Sequence, residues 1–249
     1  MTDRSARWTA AARARESARP DRLFDDPWAA ALADGTDPGP DNPYLPVRTR
    51  YFDDAVVAAA YPQLVLLGAG LDTRAWRLPL PPATTVFEVD RPGGRAAKYD
   101  RIAQRPAVAV RPVETDLSAA AWPDALLAAG LDPGRPILWL AEGLLFHLTA
   151  AAVDTVLSGA AGLSRAEALF LADIFGTGLL RLESIRQQGR EPPFCTDDPA
   201  TLFRRTGWTD CTWHLAGSPA ASYGRLSGRA GPDAAGDPTM RTYFVAASR

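Results

Sequence analysis

A 249-residue chain of 26.7 kDa can bury a full core within one domain, and its formal net charge of −2 gives no pull toward nucleic acid or an anionic membrane. The two cysteines, Cys195 and Cys211, and the two histidines, His147 and His214, lack CxxC or HxxxH spacing, so no metal site or disulfide framework is expected and the chain reads as cytoplasmic. The N-terminal MTDRSARWTAAARARESARP lacks the apolar run of a secretory signal, and no stretch approaches 18 apolar residues, so no membrane span is expected.

Residues 1–62 read as a helical cap with segments near 4–18, 26–34 and 47–61, the second opened by Asp26-Pro27 as cap and first helical position. From residue 63 short apolar runs at 64–68, 84–90, 107–113, 136–141 and 166–174 read as buried strands. Helix-compatible stretches at 92–105, 119–129 and 149–162 separate them. That alternation predicts βαβ units and a mostly parallel sheet covered on both faces. A helix starting at Asp198-Pro199 and stopping at Gly207 follows, then strands at 208–216 and 242–248. The ~25 Gly/Pro/Ser/Ala-rich residues between those strands predict a mobile loop. With no linker or repeat, residues 1–249 read as one α/β domain, a cap on a Rossmann-like core with an insertion at 175–194. Gly176, Gly178 and Gly189 in that insertion are read as hinges over the mouth of the site.

The stretch VLLGAGLDTR (65–74) is a strand running into a Gly-x-Gly turn, with Asp90 at the end of the next strand, 20 residues past Gly70. Such a turn lets backbone N–H groups approach a cofactor, and the acidic residue suits two ribose hydroxyls. The spacing fits a dinucleotide or S-adenosylmethionine. Thr73 stands where the dinucleotide fingerprint has its third glycine, which favours a cofactor without a pyrophosphate. A purely structural turn is the third reading.

The strings LLGAGLDTRAWRL, FEVDRPGGRAAK and LAEGLLFHL, preceded by ARARESARPDRLFDDPWA and VRTRYFDD, resemble the leucine carboxyl methyltransferase family, including bacterial polyketide O-methyltransferases of the tetracenomycin type. The resemblance covers roughly residues 10–150. It implies a class I methyltransferase fold, a seven-stranded mostly parallel sheet with an antiparallel last strand, and S-adenosyl-L-methionine as cofactor. It also implies that Gly68, Ala69 and Gly70 line the methionine and ribose portion and that Asp90 holds the ribose hydroxyls. Asp116 and Leu117 would face the adenine, Glu142 the methionine amino group, and Arg48 the methionine carboxylate. Arg50 is the alternative to Arg48, and Arg15 a second carboxylate partner.

Plainer roles compete with each assignment. Asp90 could cap a helix at Pro92, Asp116 could cap the segment at Ser118, Glu142 could form a structural ion pair, and Arg48 or Lys98 could sit on a solvated helix face. Because all but one of the 27 basic residues are arginine, arginine abundance is not itself a binding signal. Trp76, Trp122, Trp139 and Trp208 read as core, and His214 as structural.

Methyl transfer from a sulfonium needs alignment and exclusion of water, and a carboxylate acceptor needs no base. A phenol acceptor would gain from one, and His147 is the candidate, with a role under the helix from Thr149 as its rival. Arg19, Arg22 and Tyr44 could meet an acidic acceptor. The expected function is O-methylation of a carboxyl or phenolic hydroxyl on a small molecule such as a polyketide, without nucleic-acid or membrane partners. The alternatives are a protein C-terminal leucine carboxyl methyltransferase, an NAD(P)-dependent oxidoreductase, and a non-catalytic cofactor-binding module. The oxidoreductase reading is weakened by the single lysine, Lys98, which leaves no Tyr-xxx-Lys pair.

Overall fold

Apolar residues crowd β1 (Gln63–Leu67), β4 (Ile137–Ala141) and β5 (Ala168–Phe175) with little alternation, as expected of central parallel strands covered on both faces. In the computed structural model, which describes residues 3–93, 96–181, 193–226, 237 and 239–249, these strands form the middle of one seven-stranded sheet. The remaining strands are β2 (Thr85–Asp90), β3 (Ala109–Glu114), β6 (Asp210–Leu215) and β7 (Thr242–Ser248), in the order β3-β2-β1-β4-β5-β7-β6. Strands β1 to β5 pair in parallel, and β7 runs antiparallel to both β5 and β6. This is the predicted mostly parallel sheet. From β1 the chain builds outward to β3, then returns to β4 on the other side of β1. A crevice therefore opens at the carboxyl ends of β1 and β4, where open α/β sheets bind ligands.

The two faces separate by strand periodicity. Val65, Leu67, Phe87 and Trp139 point into one core, with α6 (Trp122–Ala128), α7 (Ala150–Leu163) and α8 (Pro199–Arg205) packed over it. Leu64, Leu66, Val86 and Leu138 point into the other, under α1 (Asp3–Ser17), α2 (Ala29–Ala33), α3 (Tyr44–Ala59) and α4 (Arg74–Arg77). The N-terminal helices thus form a packed layer of the fold: Leu32, Val47 and Phe52 are fully buried in it. The tryptophans are core as expected, with Trp122 edge-on to Trp139 at 6.0 Å between ring centroids. Among the described residues no helix is long and apolar enough to cross a membrane.

Several local readings change. Strand β3, read as buried, is a half-exposed sheet edge, and Arg111 and Pro112 protect it by charge and by the missing N–H. The helix read from Asp26-Pro27 begins only at Ala29, because the Asp26 carboxylate accepts from Arg13 and Thr73 and holds the chain in a turn. Helix α3 starts at Tyr44 rather than Val47. Lys98, on α5 (Ala96–Arg101), is fully buried and paired with Glu88 at 2.7 Å rather than solvated. Gly176 and Gly178 are packing glycines, not hinges: a Cβ at either would overlap Thr239, and at Gly178 also Met240. Gly189 and most of the 175–194 insertion lie outside the described residues, as does much of the loop predicted between β6 and β7.

Candidate functional site

Strand β1 ends at Leu67, and the chain turns at Gly68 with φ +66°. A Cβ there would stand 2.9 Å from Leu144 Cδ1, so this turn requires glycine for its backbone and for its neighbour. The glycine turn, the end of β4, α1, α3 and the loop after β5 enclose a cavity of about 650 Å³, a size typical of small-molecule sites. Of the residues singled out from sequence, Tyr44, Arg48, Gly68, Ala69, Glu142 and His147 line this cavity together.

Gly70 and Asp90 line an adjoining shallow groove instead, with Ala69 shared between the two. The Asp90 carboxylate accepts from the Gly70 N–H at 2.7 Å and the Arg91 N–H at 2.8 Å, tying the end of β2 to the turn. Asp116 and Leu117 line neither space. Asp116 caps its own turn, accepting from the Ser118 N–H and hydroxyl, which hold its carboxyl below the usual range. Leu117 is buried in the core beside Trp122.

Arg48 and Arg50 separate cleanly. Arg48 faces inward and is almost fully buried, whereas Arg50 turns outward to Asp54 and the Leu23 carbonyl. Arg15 bonds the Gly39 carbonyl and does not line the cavity. Arg13, passed over in the sequence, does line it: Ser5, Thr9 and Arg13 repeat every four residues on the inner face of α1, and Arg15 falls outside that row. Arg19 and Arg22 lie near Asp21 and Asp25, away from the cavity, but Tyr44 is part of the wall.

A buried charge network that the motifs did not announce underlies one wall. The Arg48 Nε donates to Glu142 at 3.0 Å and its Nη1 to Asp173 at 3.1 Å. Arg74 reaches Asp53, Asp72 and Glu142, and Arg77 chelates Asp53. Tyr44 donates to Asp173 at 2.8 Å, and Arg13 pairs with Asp26. Among the described residues four arginines on the cavity wall thus meet five carboxylates, of which Asp72 and Glu142 line the cavity themselves while Asp26, Asp53 and Asp173 stand behind it. Burial opposes ionisation of Glu142, but Arg74 and Arg48 more than offset it and hold the carboxyl below its usual range. Burial likewise disfavours the charged Arg48, and Asp173 and Glu142 outweigh it. Tyr44 is raised well above a free phenol by burial and by Asp173, so it stays a hydrogen-bond donor.

Asp72 titrates at about 2, because Arg74 and Arg77 overcome the cost of burying it. Its folded value lies below the unfolded value of about 3.9, so its contribution is complete above pH 4 and vanishes as pH falls toward 2. Urea unfolding at pH 6, 4 and 2.5 is expected to show a loss of about 1–1.5 kcal/mol from this group across the lower interval. Stability unchanged between pH 4 and 2.5 would contradict the pairing.

His147 ends a one-turn 3₁₀ helix, Leu145–His147, and sits exposed at the cavity, edge-on to Phe146 with ring centroids 5.4 Å apart. The cap of α7 comes from Thr149, whose hydroxyl accepts from the Ala152 N–H. His214 lies on β6 against the Tyr51 hydroxyl, away from the cavity. Among the described residues no group of three or more His, Cys, Asp or Glu could hold a metal ion.

Comparison with known proteins converges on one class. The family model described as leucine carboxyl methyltransferase matches residues 6–161. A protein of Mycobacterium sp. strain KMS, provisionally named an S-adenosyl-L-methionine-dependent methyltransferase, is 41% identical over 189 residues, covering 64% of this chain and 63% of that protein. The chain therefore spans a little under two thirds of that relative. A protein of the same provisional name from Mycolicibacterium gilvum strain PYR-GCK is 35% identical over 287 residues, covering 98% of this chain and 93% of the relative. Among solved structures, a provisionally named methyltransferase from Thermobifida fusca YX aligns over 96% of this chain and 94% of its own, with TM-score 0.56 and 16% identity. Human N-acetylserotonin methyltransferase, crystallised with SAM, aligns over 89% of this chain and 55% of its own, with TM-score 0.51 and 11% identity. These structural likenesses establish the class I methyltransferase fold.

Proposed function

Because this chain belongs to the leucine carboxyl methyltransferase family, we propose that it is an S-adenosyl-L-methionine-dependent O-methyltransferase acting on the carboxyl or phenolic hydroxyl of a small molecule, a polyketide-type metabolite being the favoured class. The observation that carries the cofactor reading is the cavity wall itself. Arg48 and Glu142 stand on it side by side, a guanidinium for the carboxylate and a carboxylate for the ammonium of a ligand with an amino-acid end, which a dinucleotide lacks. The glycine turn, which has φ +66° and no room for a Cβ beside Leu144, brings bare backbone to the cavity and fits the same ligand.

Bound there, S-adenosyl-L-methionine supplies an electrophilic methyl group. Arg48 would meet its carboxylate and Glu142 its ammonium, while Asp90, held in place by the Gly70 N–H, would accept from the ribose hydroxyls. Asp116 and Leu117, at the carboxyl end of β3, remain the adenine-side candidates. Phe146, Phe175 and Leu179 give the cavity an apolar stretch that excludes water and receives the acceptor. Alignment of acceptor oxygen and methyl group then supplies most of the rate enhancement. A cavity of about 650 Å³ with an apolar stretch at Phe146, Phe175 and Leu179 suits a small acceptor, and the near-neutral chain argues against nucleic acid. The Cys195 and Cys211 thiols are both pushed up to about 11 by burial, which disfavours the reactive thiolate.

The test is methyl transfer from labelled S-adenosyl-L-methionine to matched aromatic acids, phenols and a leucine-terminated peptide. Turnover of the acids or phenols is expected; turnover of the peptide alone would overturn the small-molecule reading. With a phenol acceptor, His147→Ala is expected to lower kcat by ~10²–10⁴ at pH 7, the worth of a positioned base. With a carboxylate acceptor the same variant should retain kcat within about threefold, since an ionised carboxylate has no proton to remove. Equal losses on both acceptors would remove His147 as the base.

A further inference from the structure

Asp173 stands toward the carboxyl end of β5, an otherwise apolar central strand, and is 2% exposed. A carboxylate buried there costs several kcal/mol unless every lone pair is used. Both its oxygens are used, and all three partners line the cavity. Oδ1 accepts from the Gly143 N–H at 2.6 Å; Oδ2 accepts from Arg48 Nη1 at 3.1 Å and from the Tyr44 hydroxyl at 2.8 Å. Gly143 has φ +63°, and a Cβ built on it would stand 3.0 to 3.3 Å from Nη1, Nη2 and Cζ of Arg48. The guanidinium therefore lies against the bare backbone of Gly143, and a side chain there would push it back by a few tenths of an ångström. The neighbouring residue, Glu142, holds the Nε edge of the same guanidinium.

From this we infer that Gly143 and Asp173 are positioning residues: together they form a cradle that fixes the Arg48 guanidinium, and through the Gly143 N–H the adjoining Glu142, for the amino-acid end of the cofactor. The inference rests on the S-adenosyl-L-methionine reading of the cavity and goes beyond it by assigning the cradle a task at one end of the ligand only. On that reading the nucleoside end would lie along the turn and toward Asp90, where neither Gly143 nor Asp173 is part of the lining. Disturbing the cradle should therefore weaken ligands that carry the amino acid and spare ligands that lack it. A merely structural role would lower stability and affect both ligand types alike.

The experiment is calorimetric titration of the whole protein with S-adenosylhomocysteine and with 5′-methylthioadenosine, the same thioether nucleoside without the amino-acid portion. Wild type, Gly143→Ala and Asp173→Asn are compared, with thermal melting run in parallel. Gly143→Ala adds one methyl group against the guanidinium, and Asp173→Asn keeps the shape of the side chain, so one reads the cradle if the other fails to fold. In each folded variant, S-adenosylhomocysteine is expected to bind about tenfold or more weaker, the scale of a displaced charge-assisted contact. Methylthioadenosine should stay within about twofold of wild type. Equal weakening of both ligands, or weakening of neither, overturns the cradle. Failure of wild type to bind S-adenosylhomocysteine while it binds methylthioadenosine also overturns it, and failure to bind either ligand refutes the underlying cofactor reading.

Discussion

Replacing Arg74 with alanine is expected to lower the unfolding free energy by about 3–5 kcal/mol, the cost of leaving buried charges uncompensated. Arg74 is 2% exposed and stands at the centre of the network: its Nε meets Asp53, Nη1 meets Asp72, and Nη2 meets Glu142, each between 2.5 and 2.8 Å. Removing it strands three carboxylates that only Arg48, Arg77 and Lys98 could then offset. Because Asp53 lies on α3, Asp72 in the glycine turn and Glu142 at the end of β4, the loss would loosen the N-terminal layer and the turn together. Urea denaturation reads the effect. Arg74→Lys should lose less than the alanine variant yet stay below wild type, since an ammonium cannot present the fork that meets three carboxylates. A loss under about 1 kcal/mol for Arg74→Ala would mean that the remaining cations already hold the network.

Asp90→Ala is expected to weaken cofactor binding by about 1–3 kcal/mol, the scale of lost hydrogen bonds to a charged group. The carboxylate stands at the carboxyl end of β2, where it orders the Gly70 and Arg91 N–H groups at the groove beside the turn. Its removal would cost the ribose its acceptor and leave the Gly70 N–H unbound. Asp90→Asn separates the two effects, because an amide oxygen still accepts from Gly70 while the charge is gone. Unchanged affinity in both variants would remove Asp90 from the site.

Much of the fold was legible because central parallel strands announce themselves. LVLL, VFEV, ILWL and ALFLADI are short apolar runs at regular spacing, and the structure places each in the sheet. Strand β3 was misjudged because AVAV resembles a core strand when its neighbours Arg111 and Pro112 are given too little weight. The glycine turn and Asp90 were legible because their chemistry is local: 20 residues separate Gly70 from Asp90, and the turn closes on itself. The charge network was not, because it joins Arg48 to Glu142 and Asp173 across 94 and 125 residues, and spacing carries no information at that range. One signal was present and unread: Asp173 interrupts the apolar run LFLADIF, and an acid in a central strand demands buried partners. Arg13 escaped for a different reason. In an Ala/Arg-rich helix several arginines compete, and only the direction of α1 across the sheet selects the row that faces the cavity.

Calorimetric titration of the wild-type protein with S-adenosyl-L-methionine and S-adenosylhomocysteine, with NAD⁺ and NADP⁺ in parallel, tests the cofactor assignment most directly. Micromolar binding of the sulfonium and its thioether product, with no heat from either dinucleotide, is the expected result. Binding of a dinucleotide in their place would mean that the turn from Gly68 holds a pyrophosphate despite Thr73, and the methyltransferase reading of this chain would be wrong.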